Sequence, residues 1–232
     1  MLVERKGQIE NFTKEAYYKV HISGDGYKLT AEEQREGAAA KALAERVDHK
    51  TATITKAESI TKSTKPPKLY DLTSLQRDGN RLFGYTAQQV LDYAQALYEK
   101  KLLTYPRTDS NYLTEDMKDT IPVLCELAAS ALPFSVPVSD VDASRVINNS
   151  KVSDHHALLP TKQISGADLS SLPAGERNIL TLVAVRLLCA VGEKHLYEDT
   201  AAVLLCGGVT FTAKGRVVVS PGFKAVEQAF FE

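Results

Sequence analysis

Strand-like sequence at both ends of the 232-residue chain surrounds a helical middle, and this order restricts the folds open to it. The N-terminal part holds AYYKVHISGDGYKLT (16–30), two strand-like runs around a Gly-Asp-Gly turn signal, and a Thr-, Ile- and Ser-rich run at 51–63. After His195 the runs TAAVLLC, VTFTA and RVVVS are separated by Gly-Gly and Lys-Gly pairs that are typical of turns. Because isolated strand pairs are only marginally stable, we expect the two ends to contribute to one β-rich domain.

The middle of the chain has the residue spacing of amphipathic and buried helices. A Lys-Pro-Pro-Lys break at 65–68 predicts a domain boundary. The pattern Thr86–Gln89 matches a capping box, and an earlier one at Thr30–Glu33 predicts a helix that extends to Val47. The apolar run ILTLVAVRLLCAV (179–191) is too short to cross a bilayer, so it predicts a buried helix.

These patterns predict an α+β fold in which a mainly helical domain is inserted into a β-rich domain. The expected β-rich domain combines residues 1–64 and 197–232, and the expected helical domain spans 65–196.

Composition limits the class of partner and the compartment. The formal net charge is −1, so any nucleic-acid surface has to be a local basic patch. Cys125, Cys189 and Cys206 are far apart and form no CxxC pair, which argues against a zinc site or a disulfide framework and favours a reducing compartment. The start MLVERKGQIENF lacks the form of a signal peptide, so we expect a cytoplasmic protein without a membrane anchor.

The heptapeptide TYPRTDS (104–110) is the first candidate for chemistry. Pro106 favours an extended conformation at Tyr105, and in an extended segment Tyr105 and Arg107 point to the same side. A fixed guanidinium stabilises a phenolate and binds phosphate in bidentate fashion. Taken alone, however, the same residues are more often a helix stop followed by a turn.

Two further segments add groups suited to nucleic-acid chemistry. SDHHALLPT (153–161) carries adjacent histidines, which can donate to a phosphate oxygen or transfer a proton near neutral pH. In isolation this is more often an ordinary surface pair. The segment 65–91 has four cations and few acids, and it favours either a solvated helix or the border of a nucleic-acid groove. The four cations are Lys65, Lys68, Arg77 and Arg81.

The long segment 65–113, the histidine segment and the two chain ends, MLVERKGQIENF and SPGFKAVE, together resemble type IA DNA topoisomerases, most closely the bacterial topoisomerase III branch. The resemblance implies that Tyr105 attacks a single-strand phosphodiester and becomes linked to the 5′ phosphate. It implies that Arg107 positions the scissile phosphate, that His155 donates a hydrogen bond near it, and that Asp109 orients the loop. It also implies that the β-rich domain is an arch and that the helical domain is the gate that carries the tyrosine.

The remaining implications concern DNA and metal. Thr108, Asp109 and Ser110 are short-range polar groups that can either hold the loop or contact a phosphate. The candidates for DNA contact are Thr108, Ser110, His156, Arg77 and Lys65. The family binds Mg²⁺ in an acidic Toprim domain, and nothing in this sequence matches it. The motif Asp140-Val141-Asp142 lacks the expected glutamate and favours a loop. We therefore expect the metal site to lie in other domains of the same parent chain, the 232 residues alone to be inactive, and no obligate protein partner.

Two alternatives from other classes remain at this level. One is a non-catalytic module that binds single-stranded DNA. The other is a tyrosine recombinase, which is disfavoured because recombinases place their histidine before a tyrosine near the C-terminus, whereas here the histidines follow Tyr105.

Overall fold

The computed structural model describes residues 2–24, 26–136 and 141–231, which form a mixture of helices and an antiparallel sheet. The helices are α1 (Leu2–Glu10), α2 (Gly37–Val47), α3 (Leu72–Phe83), α4 (Ala87–Glu99), α5 (Ile121–Ala131), α6 (Ala174–Val191) and α7 (Lys224–Phe231). The strands are β1 (His21–Gly24), β2 (Tyr27–Ala31), β3 (Ala52–Thr64), β4 (His195–Cys206) and β5 (Val209–Ser220). Short 3₁₀ turns occupy Glu115–Thr120, Ala143–Val146, Asn149–Lys151, Lys162–Gly166 and Leu169–Ser171.

In the described part of the chain the five strands form one sheet in the order β1-β2-β5-β4-β3. β1 and β2 form an antiparallel hairpin, and β2 pairs antiparallel with β5 through Thr30 opposite Thr212. The link between β4 and β5 is Gly207-Gly208, with φ of +54° and +73°. Two consecutive positive φ values are what a tight two-residue hairpin requires, and glycine adopts them without steric cost.

Two local predictions in the β-rich part were wrong. Thr30 does not cap a helix, because its backbone belongs to β2, and α2 begins only at Gly37 after Glu36, which makes no side-chain cap bond. The Lys214-Gly215 pair does not form a turn, because β5 continues through it. At Thr30, pairing with the distant strand β5 outweighs the local cap signal.

The chain separates into two compact units. One comprises Met1–Lys62 with Glu198–Val217, and the other comprises Ser63–Tyr197 with Val218–Glu232. The sequence placed the whole of 197–232 in the β-rich domain, whereas residues after Val217 belong to the helical unit. The reason is apolar burial, since Phe223 and Val226 are 4% and 5% exposed within the helical unit's core.

The helical unit is organised around α6. Most of its 18 residues are buried, including Ile179, Leu180 and Leu187, and it packs against α4, α5 and α7. The predicted capping box of α4 is confirmed, because Thr86 Oγ1 accepts from the Gln89 amide at 3.2 Å and Gln89 Oε1 accepts from the Thr86 amide at 2.9 Å. Among the described helices, none is both long and apolar enough to span a bilayer.

Arg186 is the one charged residue within the apolar run, and its cation has partners. Its Nη2 donates to the Tyr70 hydroxyl at 2.8 Å and to the Asp78 carboxylate, and its guanidinium carbon lies 4.0 Å from the Tyr70 ring centroid. The Tyr70 hydroxyl in turn donates to Asp78 at 2.7 Å. A partly buried cation is tolerated when its donors are satisfied in this way.

Candidate active site

The loop that carries Tyr105 follows α4 directly and runs beside the histidine segment. Leu102 and Leu103 are buried and hold the start of the loop in the helical core. The amide of Thr104 donates to the carbonyl of Leu159 at 3.0 Å, and the Leu159 amide donates to Thr104 Oγ1 at 3.0 Å. The two segments that the sequence singled out are therefore hydrogen-bonded to each other.

The ring of Tyr105 is half-buried between two other rings. Its centroid lies 4.5 Å from that of His155, at an interplanar angle of 45°. On α4, Tyr98 makes an edge contact with it at a centroid distance of 5.4 Å and an angle of 76°. The candidate nucleophile and the first histidine of the pair are thus in direct contact.

Thr108 and Ser110 anchor the loop from inside. They are only 7% and 4% exposed. Thr108 Oγ1 donates to the His155 carbonyl at 3.0 Å and accepts from the Ser110 amide at 3.1 Å. Ser110 Oγ lies 2.8 Å from the Lys151 carbonyl. The sequence left open whether these two residues hold the loop or contact a phosphate, and in the structure their hydroxyls form hydrogen bonds that hold the loop.

Arg107 and Asp109 alternate with these anchors and are exposed. The Thr108 amide donates to the Pro106 carbonyl at 3.1 Å, which closes a tight three-residue turn with Arg107 at its apex. Neither the Arg107 nor the Asp109 side chain has a hydrogen bond or ion pair within the described residues. The guanidinium is therefore open to an anionic ligand, and the side-chain hydrogen bonds that hold the loop are those of Thr108 and Ser110.

The other candidate DNA contacts are more dispersed. His156 is half-buried, and its Nδ1 lies 2.7 Å from the Ala157 carbonyl. Arg77 is exposed on α3, and Lys65 is exposed just after β3. Within the described residues, no hydrogen bond or ring contact joins any of these three side chains to Tyr105.

No group of three or more His, Cys, Asp or Glu in the described part of the chain is arranged to hold a metal ion. Asp142 accepts from the Ser144 amide at 3.1 Å and from Arg145 Nε at 3.1 Å, so it caps a short turn. Asp140 lies outside the described residues. The described residues therefore do not fit a Mg²⁺ site.

Sequence reasoning missed the contact of Tyr98 with Tyr105. The helical spacing placed Tyr98 on the apolar face of α4, and it lies 41% exposed in the last turn of that helix. Its position one turn before the loop was the only available signal, and such a signal does not identify which residue the ring will meet.

Comparison with known proteins identifies the family of this chain. A family model described as DNA topoisomerase matches residues 1–230. DNA topoisomerase 3 of Bacillus subtilis is 36% identical over 240 residues, covering 97% of this chain and 33% of the relative. DNA topoisomerase 3 of Bacillus cereus is 33% identical over 245 residues, covering 100% and 33%.

The chain thus spans about one third of the length of these curated relatives. A solved structure of full-length topoisomerase I from Thermotoga maritima shares the fold, with a TM-score of 0.66 and 21% identity over 99% of this chain and 38% of that one. The resemblance seen in the sequence is confirmed: the chain belongs to the DNA topoisomerase family, in its type IA class.

Proposed function

We propose that this chain carries the cleavage loop of a type IA DNA topoisomerase that cuts and rejoins one DNA strand and passes another strand through the break. The observation that carries the proposal is the 4.5 Å ring contact between Tyr105 and His155. In a chain of this family, that contact joins a candidate nucleophile to a candidate proton donor. Such strand passage relaxes or decatenates DNA in the bacterial cytoplasm, at the nucleoid.

The proposed reaction is a transesterification. The phenol oxygen of Tyr105 attacks the scissile phosphorus and forms an O–P bond, while the bond from phosphorus to the 3′ oxygen breaks. The phenol loses its proton and the departing 3′ oxygen gains one, so the products are a 5′-phosphotyrosine and a free 3′-hydroxyl. The phosphodiester energy is kept in the covalent intermediate, so resealing by the reverse step needs no ATP.

The surrounding groups have separate roles in this proposal. Arg107, exposed and without a partner among the described residues, binds the scissile phosphate through its planar fork of donors. His155 donates to a phosphate oxygen or to the departing 3′ oxygen. Asp109 remains free to pair with a cation bound to the DNA or with a basic side chain from another part of the protein.

We further propose that the β-rich unit forms an arch and that the helical unit is an inserted gate that moves the bound strand end. Mg²⁺ would be held by residues outside these 232, because the described residues fit no such site. On this proposal the 232-residue chain alone does not relax DNA. Incubation with supercoiled plasmid and Mg²⁺ checks this, and relaxation by the chain alone would contradict it.

The central test is covalent trapping in the parent protein with Mg²⁺ and a labelled single-stranded oligonucleotide. We expect a denaturation-resistant protein–DNA adduct that Tyr105→Phe abolishes. Tyr98→Phe is the matched control, since it also removes one hydroxyl from the same ring cluster but leaves the nucleophile. An adduct that persists in Tyr105→Phe would show that another residue is the nucleophile.

A further inference from the structure

A groove of about 450 Å³ in the helical unit is lined by four basic residues and one aromatic residue, among others. The residues that matter are Lys65, Lys68, Arg145 and Lys194, together with Asn111 and Tyr112. A volume in this range is typical of sites that bind small molecules or one segment of a larger ligand.

The positive charge of the groove is largely uncompensated. Lys65, Lys68 and Lys194 are exposed, and within the described part of the chain their ammonium groups form no hydrogen bond or ion pair. Arg145 is paired, with its Nε 3.1 Å from the Asp142 carboxylate. Three unpaired lysines that line one groove, in a chain whose net charge is −1, mark a local anion-binding surface.

The sequence explains how two of these lysines are held together. Pro66-Pro67 favours the polyproline II conformation, which has three residues per turn and so places Lys65 and Lys68 on the same side. The Lys68 ammonium lies 5.3 Å from the centroid of the Tyr112 ring. A basic and an aromatic residue of the groove are therefore neighbours, an arrangement that suits a phosphate next to a base.

The groove adjoins the cleavage loop. Asn111 and Tyr112 follow TYPRTDS without interruption. The Tyr112 carbonyl accepts from the Ala157 amide at 2.9 Å, two residues after His155. The Asn111 side chain donates to the Leu69 carbonyl at 3.0 Å, next to Lys68. Hydrogen bonds thus join the groove residues Asn111 and Tyr112 to the segment after Lys68 and to the histidine segment.

We propose that this groove binds the single DNA strand beyond the scissile phosphate, with Lys65, Lys68 and Lys194 contacting the phosphodiester backbone and Tyr112 stacking on a base. The inference rests on the proposed function, because it extends the DNA path from Tyr105. It adds Lys68, Lys194 and Tyr112 to the binding surface and places Lys65 within it.

Binding, rather than cleavage, is the test. The affinity for a labelled oligothymidylate is measured by fluorescence anisotropy at several salt concentrations. The oligonucleotide has about 15 nucleotides, a length within the span of single-strand sites. The 232-residue chain is compared with Lys68→Gln/Lys194→Gln. The control Lys41→Gln/Lys118→Gln removes the same charge at two exposed positions outside the groove. Circular dichroism confirms that each variant is folded.

We expect the slope of log K against log salt, which is negative, to become less steep by about 1.4 in the groove variant, because each phosphate contact contributes about −0.7 for single strands. The control leaves the slope unchanged. Tyr112→Leu weakens binding by at least about fivefold at every salt concentration, whereas Tyr112→Phe, which keeps the ring, does not.

Absence of binding by the unmodified chain, or equal losses in the groove and control variants, would overturn the groove proposal. A groove variant that weakens binding supports it even if Tyr105→Phe of the parent protein still forms an adduct. The two proposals therefore fail separately.

Discussion

The hydroxyl of Thr108 donates a hydrogen bond to the main-chain carbonyl of His155 across 3.0 Å. This bond joins the Tyr105 loop to the histidine segment from the buried side, while the rings of Tyr105 and His155 meet at 4.5 Å. Because both ends of the contact are fixed by the same hydroxyl, Thr108 is a positioning residue for a candidate site that it does not itself enter.

Thr108→Val tests this role, because valine keeps the shape and removes the hydroxyl. The His155 carbonyl loses its donor and the buried Ser110 amide loses its acceptor, so we expect the free energy of unfolding to fall by about 1–3 kcal/mol. Urea denaturation of the 232-residue chain measures the change. In the parent protein, adduct formation should slow without a change in the residue that is linked.

Thr114→Val is the matched control. Thr114 precedes the turn Glu115–Thr120 and makes no side-chain cap bond. We expect a change within about 0.5 kcal/mol, the usual range for positions without special contacts. Equal effects of the two substitutions would contradict the anchoring role of Thr108.

Tyr98 gives a second prediction about the same ring cluster. An edge-to-face aromatic pair contributes about 0.5–1.5 kcal/mol beyond its buried area, so loss of the ring loosens Tyr105. Tyr98→Ala should slow adduct formation by the parent protein several-fold, whereas Tyr98→Phe should retain the rate because the contact is made by the ring. Equal rates for Tyr98→Ala and the unmodified protein would show that Tyr105 is positioned without Tyr98.

The sequence predicted the members of the site better than their arrangement. Resemblance singled out Tyr105 and His155, but nothing local shows that their rings touch, since they lie on separate segments joined by long-range hydrogen bonds. For Thr108 and Ser110 the sequence left two roles open, holding the loop or contacting a phosphate. Their burial depends on packing against the histidine segment, which residue type alone does not reveal.

Local sequence patterns predicted the backbone correctly where no distant strand pairs with the same residues. The capping box at Thr86 forms because it satisfies amides within its own helix. The similar pattern at Thr30 fails because β5 pairs with that backbone. The sequence did not predict helix α7, because the residues before it are strand-like and the whole C-terminal segment was assigned to the β-rich domain. Val226 of α7 is buried in the helical core, and the sequence did not indicate that contact.

The hydrogen bonds among Arg186, Tyr70 and Asp78 give a third prediction. Burial raises the pKa of Tyr70 above its usual value, so its hydroxyl stays protonated and donates to Asp78. Tyr70→Phe removes that donor and the acceptor used by Arg186, so we expect unfolding free energy to fall by about 1–3 kcal/mol. The Tyr98 hydroxyl makes no hydrogen bond within the described residues, so Tyr98→Phe should change the unfolding free energy by less than about 0.5 kcal/mol. Similar losses in both variants would argue that the Tyr70 hydroxyl contributes nothing.

The last prediction concerns acid stability in the β-rich unit. Hydrogen bonds from Arg216 and then Lys62 lower the pKa of Asp199 from 3.8 to about 2. A carboxyl whose pKa is lower in the folded state stabilises the fold above its unfolded pKa and loses that contribution as pH falls through its folded pKa. The contribution of Asp199 is therefore complete above about pH 4 and disappears toward about pH 2.

Asp199→Asn removes this contribution at every pH. The difference in unfolding free energy between the unmodified chain and Asp199→Asn should be largest near neutral pH and shrink between about pH 4 and pH 2, as urea titrations at several pH values would show. Asp116→Asn is the control, because Asp116 is exposed and has no hydrogen bond or ion pair within the described residues. Since Asp199 is near solvent, the difference should also decrease in high salt. A difference that stays constant across this pH range would show that Arg216 and Lys62 do not stabilise the ionised carboxylate.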